Sequence, residues 1–283
     1  MEPLTAASLF LTAVFAGTFG SMLGLGGGII IIPALTLLFG VGIREAAATS
    51  LLCVVATSTA ATINYLKQRL TDLRLGLLLE LPTVLGAIAG GYIAFAVPKV
   101  ALQIIFALLL LYVAYVLWRD TARGVTPAQD VAAMRDTSGL CLRGVFHDPA
   151  LGREVEYTAR HFTPGMLASA GAGILSGMLG VGGGIIKVPV MRLKMGVPMK
   201  VSVATSNFMI GITGATSVML YFQRGFVNLS VTAVCALGIL LGATIGPRLA
   251  ARIHTTILQR VFIVVLLLTA VQMVWKAIQG GGG

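Results

Sequence analysis

Apolar residues fall into ten blocks, five in each half of the chain, set apart by short polar stretches in which basic residues collect. The blocks run at about 4–23, 28–39, 46–66, 75–97 and 100–118, then at about 166–179, 184–195, 202–222, 229–251 and 256–275. Most suit helices crossing a hydrocarbon core of about 30 Å at a rise of about 1.5 Å per residue. The second block of each half does not, since twelve helical residues rise only about 18 Å. It predicts a broken or half helix that starts at a triple glycine and either crosses or re-enters. The pattern as a whole predicts an all-α polytopic membrane protein.

The two halves are one pattern written twice. Shifted by 156 residues, the chain aligns with itself without a gap. Gly26, Gly27, Gly28 and Pro33 fall on Gly182, Gly183, Gly184 and Pro189, and the triplet Ala48, Thr49, Ser50 falls on Ala204, Thr205, Ser206. Tyr65 meets Tyr221, Gly86 and Gly90 meet Gly242 and Gly246, and Phe106 meets Phe262. One register held over about a hundred residues marks a duplication.

The basic residues orient the halves. Lys67, Arg69 and Arg74 mark the loop between the third and fourth blocks as cytoplasmic, and Arg119 and Arg123 do the same for the central loop. In the second half the bias flips: Arg192, Lys194 and Lys200 precede the third block, and Arg248, Arg252 and Arg260 flank the turn from fourth to fifth. Equivalent loops then face opposite sides, which predicts two inverted-topology repeats of about five helical segments each, with broken helices at the glycine motifs and both termini external. The domains read as membrane repeat 1 at 1–119, a cytoplasmic loop at 120–163, and membrane repeat 2 at 164–279; 280–283 looks like a linker remnant. The first block lacks a basic n-region and its glycine pattern recurs later, so it is expected to belong to the fold and not to a cleavable signal.

Composition agrees with a lipid solvent. Charged residues make up 11% of the chain, hydrophobic ones 57%, and mean hydropathy is +0.95, whereas a soluble domain carries about 25% charge to cover its surface. The net charge of +10 does not indicate nucleic acid, because the basic residues sit at block ends and no basic stripe interleaves with aromatics. Cys53, Cys141 and Cys235 form no paired framework and predict no disulfide. The polar central loop reads as a short β-hairpin, 140–146 and 153–159 around a turn, and its Cys141, His147 and His161 lack metal-ligand spacing. No cofactor and no metal are expected.

The sequence GTFGSMLGLGGGIIIIP at 17–33 and its echo GILSGMLGVGGGIIKVP at 173–189 resemble the signature of the TauE/SafE sulfite exporter family, and the two A-T-S triplets fit it. The resemblance covers nearly the whole chain apart from the central loop. It implies a bacterial inner-membrane permease that exports sulfite or small organosulfonates without ATP.

Candidate chemistry gathers where the blocks break. Helices interrupted at the bilayer midplane present uncapped N–H groups and a positive dipole end, and glycine lets an anion approach the backbone. Gly26, Gly27, Gly28, Gly182, Gly183 and Gly184 are therefore candidate substrate ligands, against the simpler reading of close helix packing. Lys187 replaces Ile31 of the first half. An intramembrane cation costs roughly 2.5–3.5 kcal/mol on insertion scales, so it either binds the anion or snorkels to the interface. Thr49, Ser50, Thr205, Ser206 and Asn207 offer neutral donors for an oxyanion shell, or bonds to neighbouring helices. Glu80, opposite Ala236 in the repeat, is a candidate proton-coupling residue; Arg74 or water is the alternative partner for its carboxylate. The Gly86/Gly90 and Gly242/Gly246 pairs read as helix packing, within the protomer or across a homodimer.

These features point to a secondary transporter of small oxyanions working by alternating access. A passive anion channel, or a transporter of other small carboxylates or oxyanions, is the alternative. A scaffold whose central loop recruits partners would lose function on loop deletion but tolerate glycine-loop substitutions. A membrane-embedded enzyme would need a nucleophile–base pair or a metal constellation inside the blocks, and the sequence offers none.

Overall fold

The computed structural model describes residues 3–23, 26–122, 142–148, 153–250 and 255–280. Cys141 and residues 281–283 lie outside the described residues, as does most of the central loop. The first half folds into α1 (Pro3–Leu23), α2 (Gly28–Pro33), α3 (Ile43–Lys67), α4 (Leu73–Ala96) and α5 (Lys99–Ala122). A hairpin of β1 (Leu142–Asp148) and β2 (Arg153–Ala159) follows. The second half comprises α6 (Phe162–Leu179), α7 (Gly184–Leu193), α8 (Met199–Gln223), α9 (Leu229–Ala250) and α10 (Thr255–Gly280). Among the described residues, seven helices are long and apolar enough to cross a membrane: α1, α3, α4, α5, α6, α8 and α9.

The short second helices have local causes. Gly26 and Gly27 (φ 76° and 75°) and Gly182 and Gly183 (φ 85° and 75°) take left-handed conformations that a Cβ disfavours, so the chain breaks and restarts there. No side chain caps α2 or α7. Pro33 supplies no N–H to the helical ladder, and the helix continues as a π turn over Ala34–Leu38.

Packing pairs a helix of one half with a helix of the other. α1 lies on α9, α4 on α6, α5 on α10 and α3 on α8. The glycine pairs make the first two contacts close. A Cβ at Gly86 or Gly90 would run into the α6 backbone at Ala170 or Ile174, and one at Gly242 or Gly246 into α1 at Val14 or Thr18. Both motifs are thus engaged between helices of a single chain. Cys53 on α3 and Cys235 on α9 are buried free thiols in mutual contact. Outward faces are apolar, with Leu81 and Leu85 about 70% exposed on α4, which only lipid would tolerate as a continuous surface.

The hairpin is antiparallel, with Val145 opposite Glu156 and Phe146 opposite Val155. Its first strand takes in His147 and Asp148, which the sequence pattern places in the turn. Phe146, Val155, Tyr157 and Ala159 join a buried cluster with Tyr65, Leu75, Met191 and Val197, so the hairpin is seated on one end of the helical body. The Arg160 N–H donates to the Met195 carbonyl at 3.0 Å and fixes the exit of β2 beside the end of α7.

Candidate functional site

The two glycine turns meet. A Cβ placed on Gly28 would lie 2.9 Å from the Gly180 carbonyl and 3.1 Å from Val181 Cα, so the turn before α2 rests on the turn before α7. Gly26 and Gly182 both face the side chains of Val54 on α3 and Ile210 on α8. Those two side chains close the space over both turns.

The third helices hold the turns in place. The Tyr65 hydroxyl donates to the Ser21 carbonyl at 3.2 Å, and Tyr221 donates to the carbonyls of Gly177 (3.1 Å) and Met178 (3.0 Å). Each phenol reaches the C-terminal part of a first helix, just before its glycine turn. Ser50 donates to the Gly180 carbonyl at 2.7 Å and ties α3 to the second turn.

The hydroxyl residues named from the sequence are bonded within the protein. Thr49 pairs with Thr232 on α9 at 3.2 Å, and Thr205 accepts the Asp72 N–H at 3.0 Å. Ser206 is buried and has a partner of its own. Asn207 is buried as well. Its Nδ2 already donates to the Val203 carbonyl at 3.0 Å, while its buried Oδ1 has no partner among the described residues. The bond to residue i−4 uses one of the two amide hydrogens, so the side chain still carries a second donor hydrogen beside its open acceptor. Along the polar face of α3, Thr57, Thr59 and Asn64 bond back to their own helix, and Ser58 crosses to the Asn207 carbonyl.

The two intramembrane charges find each other. Lys187 Nζ donates to Glu80 Oε2 at 3.1 Å and to Thr213 Oγ1 at 3.0 Å, and the Thr213 hydroxyl donates to the other Glu80 oxygen. Lys187 is 1% exposed and Glu80 3%, so the lysine does not snorkel. Arg74 is not the partner of Glu80: that arginine sits in the exposed first turn of α4, and the carboxylate, more than a turn further along, points into the bundle. The ion pair therefore joins α4, α7 and α8, three residues past the start of α7.

One residue near the site escaped the sequence reading. Ser176 on α6 is 1% exposed, its hydroxyl has no partner among the described residues, and its Cβ lies 3.5 Å from a Cβ built on Gly183. Serine in a membrane helix ordinarily bonds the carbonyl four residues back. The residue 156 positions earlier is Gly20, so aligning the chain with itself gave no signal. Among the described residues no group of three or more His, Cys, Asp or Glu side chains could hold a metal.

Residues 9–273 match the family described as "Sulfite exporter TauE/SafE". The chain is 28% identical to "Probable membrane transporter protein YunE" of Bacillus subtilis, over 95% of this chain and 97% of that protein. A "Probable membrane transporter protein" of Xylella fastidiosa is 25% identical over 97% of this chain and 98% of its own length. "Sulfite exporter TauE/SafE family protein 6" of Arabidopsis thaliana is 32% identical, but only over 29% of this chain and 19% of that protein. No solved structure matches.

Proposed function

This chain belongs to the sulfite exporter TauE/SafE family of multi-pass membrane transporters, and on that footing we propose that it exports small sulfur-containing oxyanions, sulfite or organosulfonates, by alternating access. It is a transporter and not an enzyme. In this reading two inverted-topology repeats rock about the joined glycine turns in a bacterial inner membrane, with both termini external.

The observation that carries the proposal is the buried Lys187–Glu80–Thr213 triad. A buried ion pair contributes little to stability compared with apolar packing, since the desolvation of both charges offsets their attraction. A charge kept inside a membrane segment is therefore a functional feature by default. Lys187 supplies the cation an oxyanion needs. The uncapped start of α7 at Gly183 and Gly184 and the free hydroxyl of Ser176 supply neutral donors on the same side.

Val54 and Ile210 over the turns, and Glu80 on the lysine, make this arrangement the closed one. An anion reaching Lys187 must take the place of Glu80. Without compensation the site would pass from neutral to one net negative charge for a monoanion. A proton taken up by Glu80 as the anion arrives keeps the site neutral, and this gives Glu80 its coupling role.

The test is flux from proteoliposomes loaded with sulfite, an alkylsulfonate, sulfate or a carboxylate, each at two pH values. The proposal expects sulfite or sulfonate efflux that depends on pH and is lost in Lys187→Met. Preference for the carboxylate, or full sulfite flux in folded Lys187→Met, would sink it.

A further inference from the structure

A second basic constellation lies outside the helical core, where the loop between α3 and α4 meets the hairpin. A cavity of about 310 Å³ opens there, lined by Arg69 and Arg74 from the loop and Arg143 from β1. That volume is at the lower end of the range for small-ligand sites, ~300–1,000 Å³. None of the three arginines is ion-paired among the described residues. Asp72 is the one carboxylate in the lining, and it is already engaged: Oδ1 accepts the Leu75 N–H at 3.0 Å and Oδ2 accepts the Tyr157 hydroxyl at 2.6 Å. Three cations against one occupied anion leave the cavity at 3 − 1 = +2. The hydroxyl oxygen of Thr71, also in the lining, is buried and has no partner among the described residues.

We propose that this cavity binds a phosphate group, carried either by a membrane lipid headgroup or by a small soluble phosphomonoester. Guanidinium forks match phosphate oxygens in a bidentate manner, and a free hydroxyl completes such a cradle. Membrane orientation alone asks only for positive charge on this loop. It does not ask for Arg143, more than sixty residues away in sequence, to enter the same cavity. Nor does it ask for an arginine in a left-handed conformation: Arg69 has φ 55°, while Gly225, 156 residues later, makes the corresponding turn at φ 72° without strain. Ser230 likewise stands where the first half has Arg74. The turn can be built without these side chains. Leu66, Leu73 and Leu77 beside the cavity are all more than 40% exposed, which sets its rim against apolar surface where headgroups meet protein.

The test uses the purified full chain and reads its thermal unfolding midpoint in two arms. In micelles, glycerol 3-phosphate is titrated against potassium chloride of equal ionic strength; in nanodiscs, phosphatidylglycerol is compared with phosphatidylcholine. The variants are Arg143→Gln on the exposed strand, Arg69→Asn, which suits a left-handed turn, and Lys99→Gln as a control remote in sequence. Stabilisation in at least one arm is expected, with a loss of about fivefold in apparent affinity for each arginine variant and none for the control. An effect confined to one arm identifies the source of the phosphate. No stabilisation in either arm overturns the proposal, as does a Lys99→Gln loss equal to that of Arg143→Gln.

Discussion

Replacing Lys187 with methionine keeps the bulk of the side chain and removes only the ammonium. Glu80 is then left 3% exposed, with Thr213 as its remaining bonded partner. Breaking a buried pair by removing one member costs about 3–5 kcal/mol, because the surviving charge has lost both water and counter-ion. Glu80→Gln strands the ammonium and carries a similar penalty. The double variant Lys187→Met/Glu80→Gln leaves no charge to desolvate, and its amide can still meet Thr213, so it should cost far less than the sum of the singles. A double-mutant cycle by equilibrium unfolding in mixed micelles should show a coupling of about 2 kcal/mol or more. Additive losses would refute the pairing as an energetic unit. The same three variants separate structure from function. A merely structural pair predicts that the double variant, once stable, also transports. The anion-binding reading predicts a stable double variant with no sulfite flux, because the cation is gone.

Other consequences are read more simply. Gly90→Ala should destabilise strongly, since its Cβ meets the Ile174 backbone, whereas Gly171→Ala on α6, with nothing within 4 Å, should be neutral or stabilising by up to ~1 kcal/mol; thermal unfolding distinguishes them. Ser50→Ala removes a buried 2.7 Å bond to the Gly180 carbonyl and should cost about 1–3 kcal/mol in the same assay. Val54→Ala with Ile210→Ala thins the cover over both glycine turns and should raise uncoupled anion leak in proteoliposomes; unchanged leak would mean that the cover lies elsewhere. Burial and the adjacent Asp72 hold the Tyr157 phenol well above its ordinary range. The unfolded chain therefore releases this proton at about pH 10 while the folded one keeps it, so hairpin stability should fall as pH rises through about 10. Hydrogen exchange on β1 and β2 should show that loss in the wild type and not in Tyr157→Phe.

Much of the helical frame was legible because lipid imposes it. Apolar block length fixes where a helix can lie, and triple glycine fixes where it must stop, so the broken second helices stand at the glycines that announce them. The packing role of Gly86, Gly90, Gly242 and Gly246 was legible for the same reason, although only the structure assigns their partner helices. The site was less legible. Lys187 and Glu80 each read as an isolated charge because 107 residues separate them and no spacing rule links α4 to α7. Ser176 was hidden by its apolar surroundings.

The shift that aligns the halves sharpens what the ion pair means. Carried through 156 residues, the junction of Lys187, Glu80 and Thr213 falls on Ile31, Ala236 and Thr57. The threonine occurs in both halves, yet in the first it only bonds back to the Cys53 carbonyl at 2.9 Å. Ile31 is fully buried in the apolar core. At the positions 156 residues removed, an isoleucine, an alanine and a back-bonded threonine stand in place of the charged cluster. Lys187 and Glu80 thus have no charged counterpart under that shift. Ile31→Lys with Ala236→Glu would carry the two charges to the shifted positions. If the pair served stability, the variant should unfold no sooner than the wild type in mixed micelles. If the pair is retained for its chemistry, stability should fall, because two more charges leave water for no better packing.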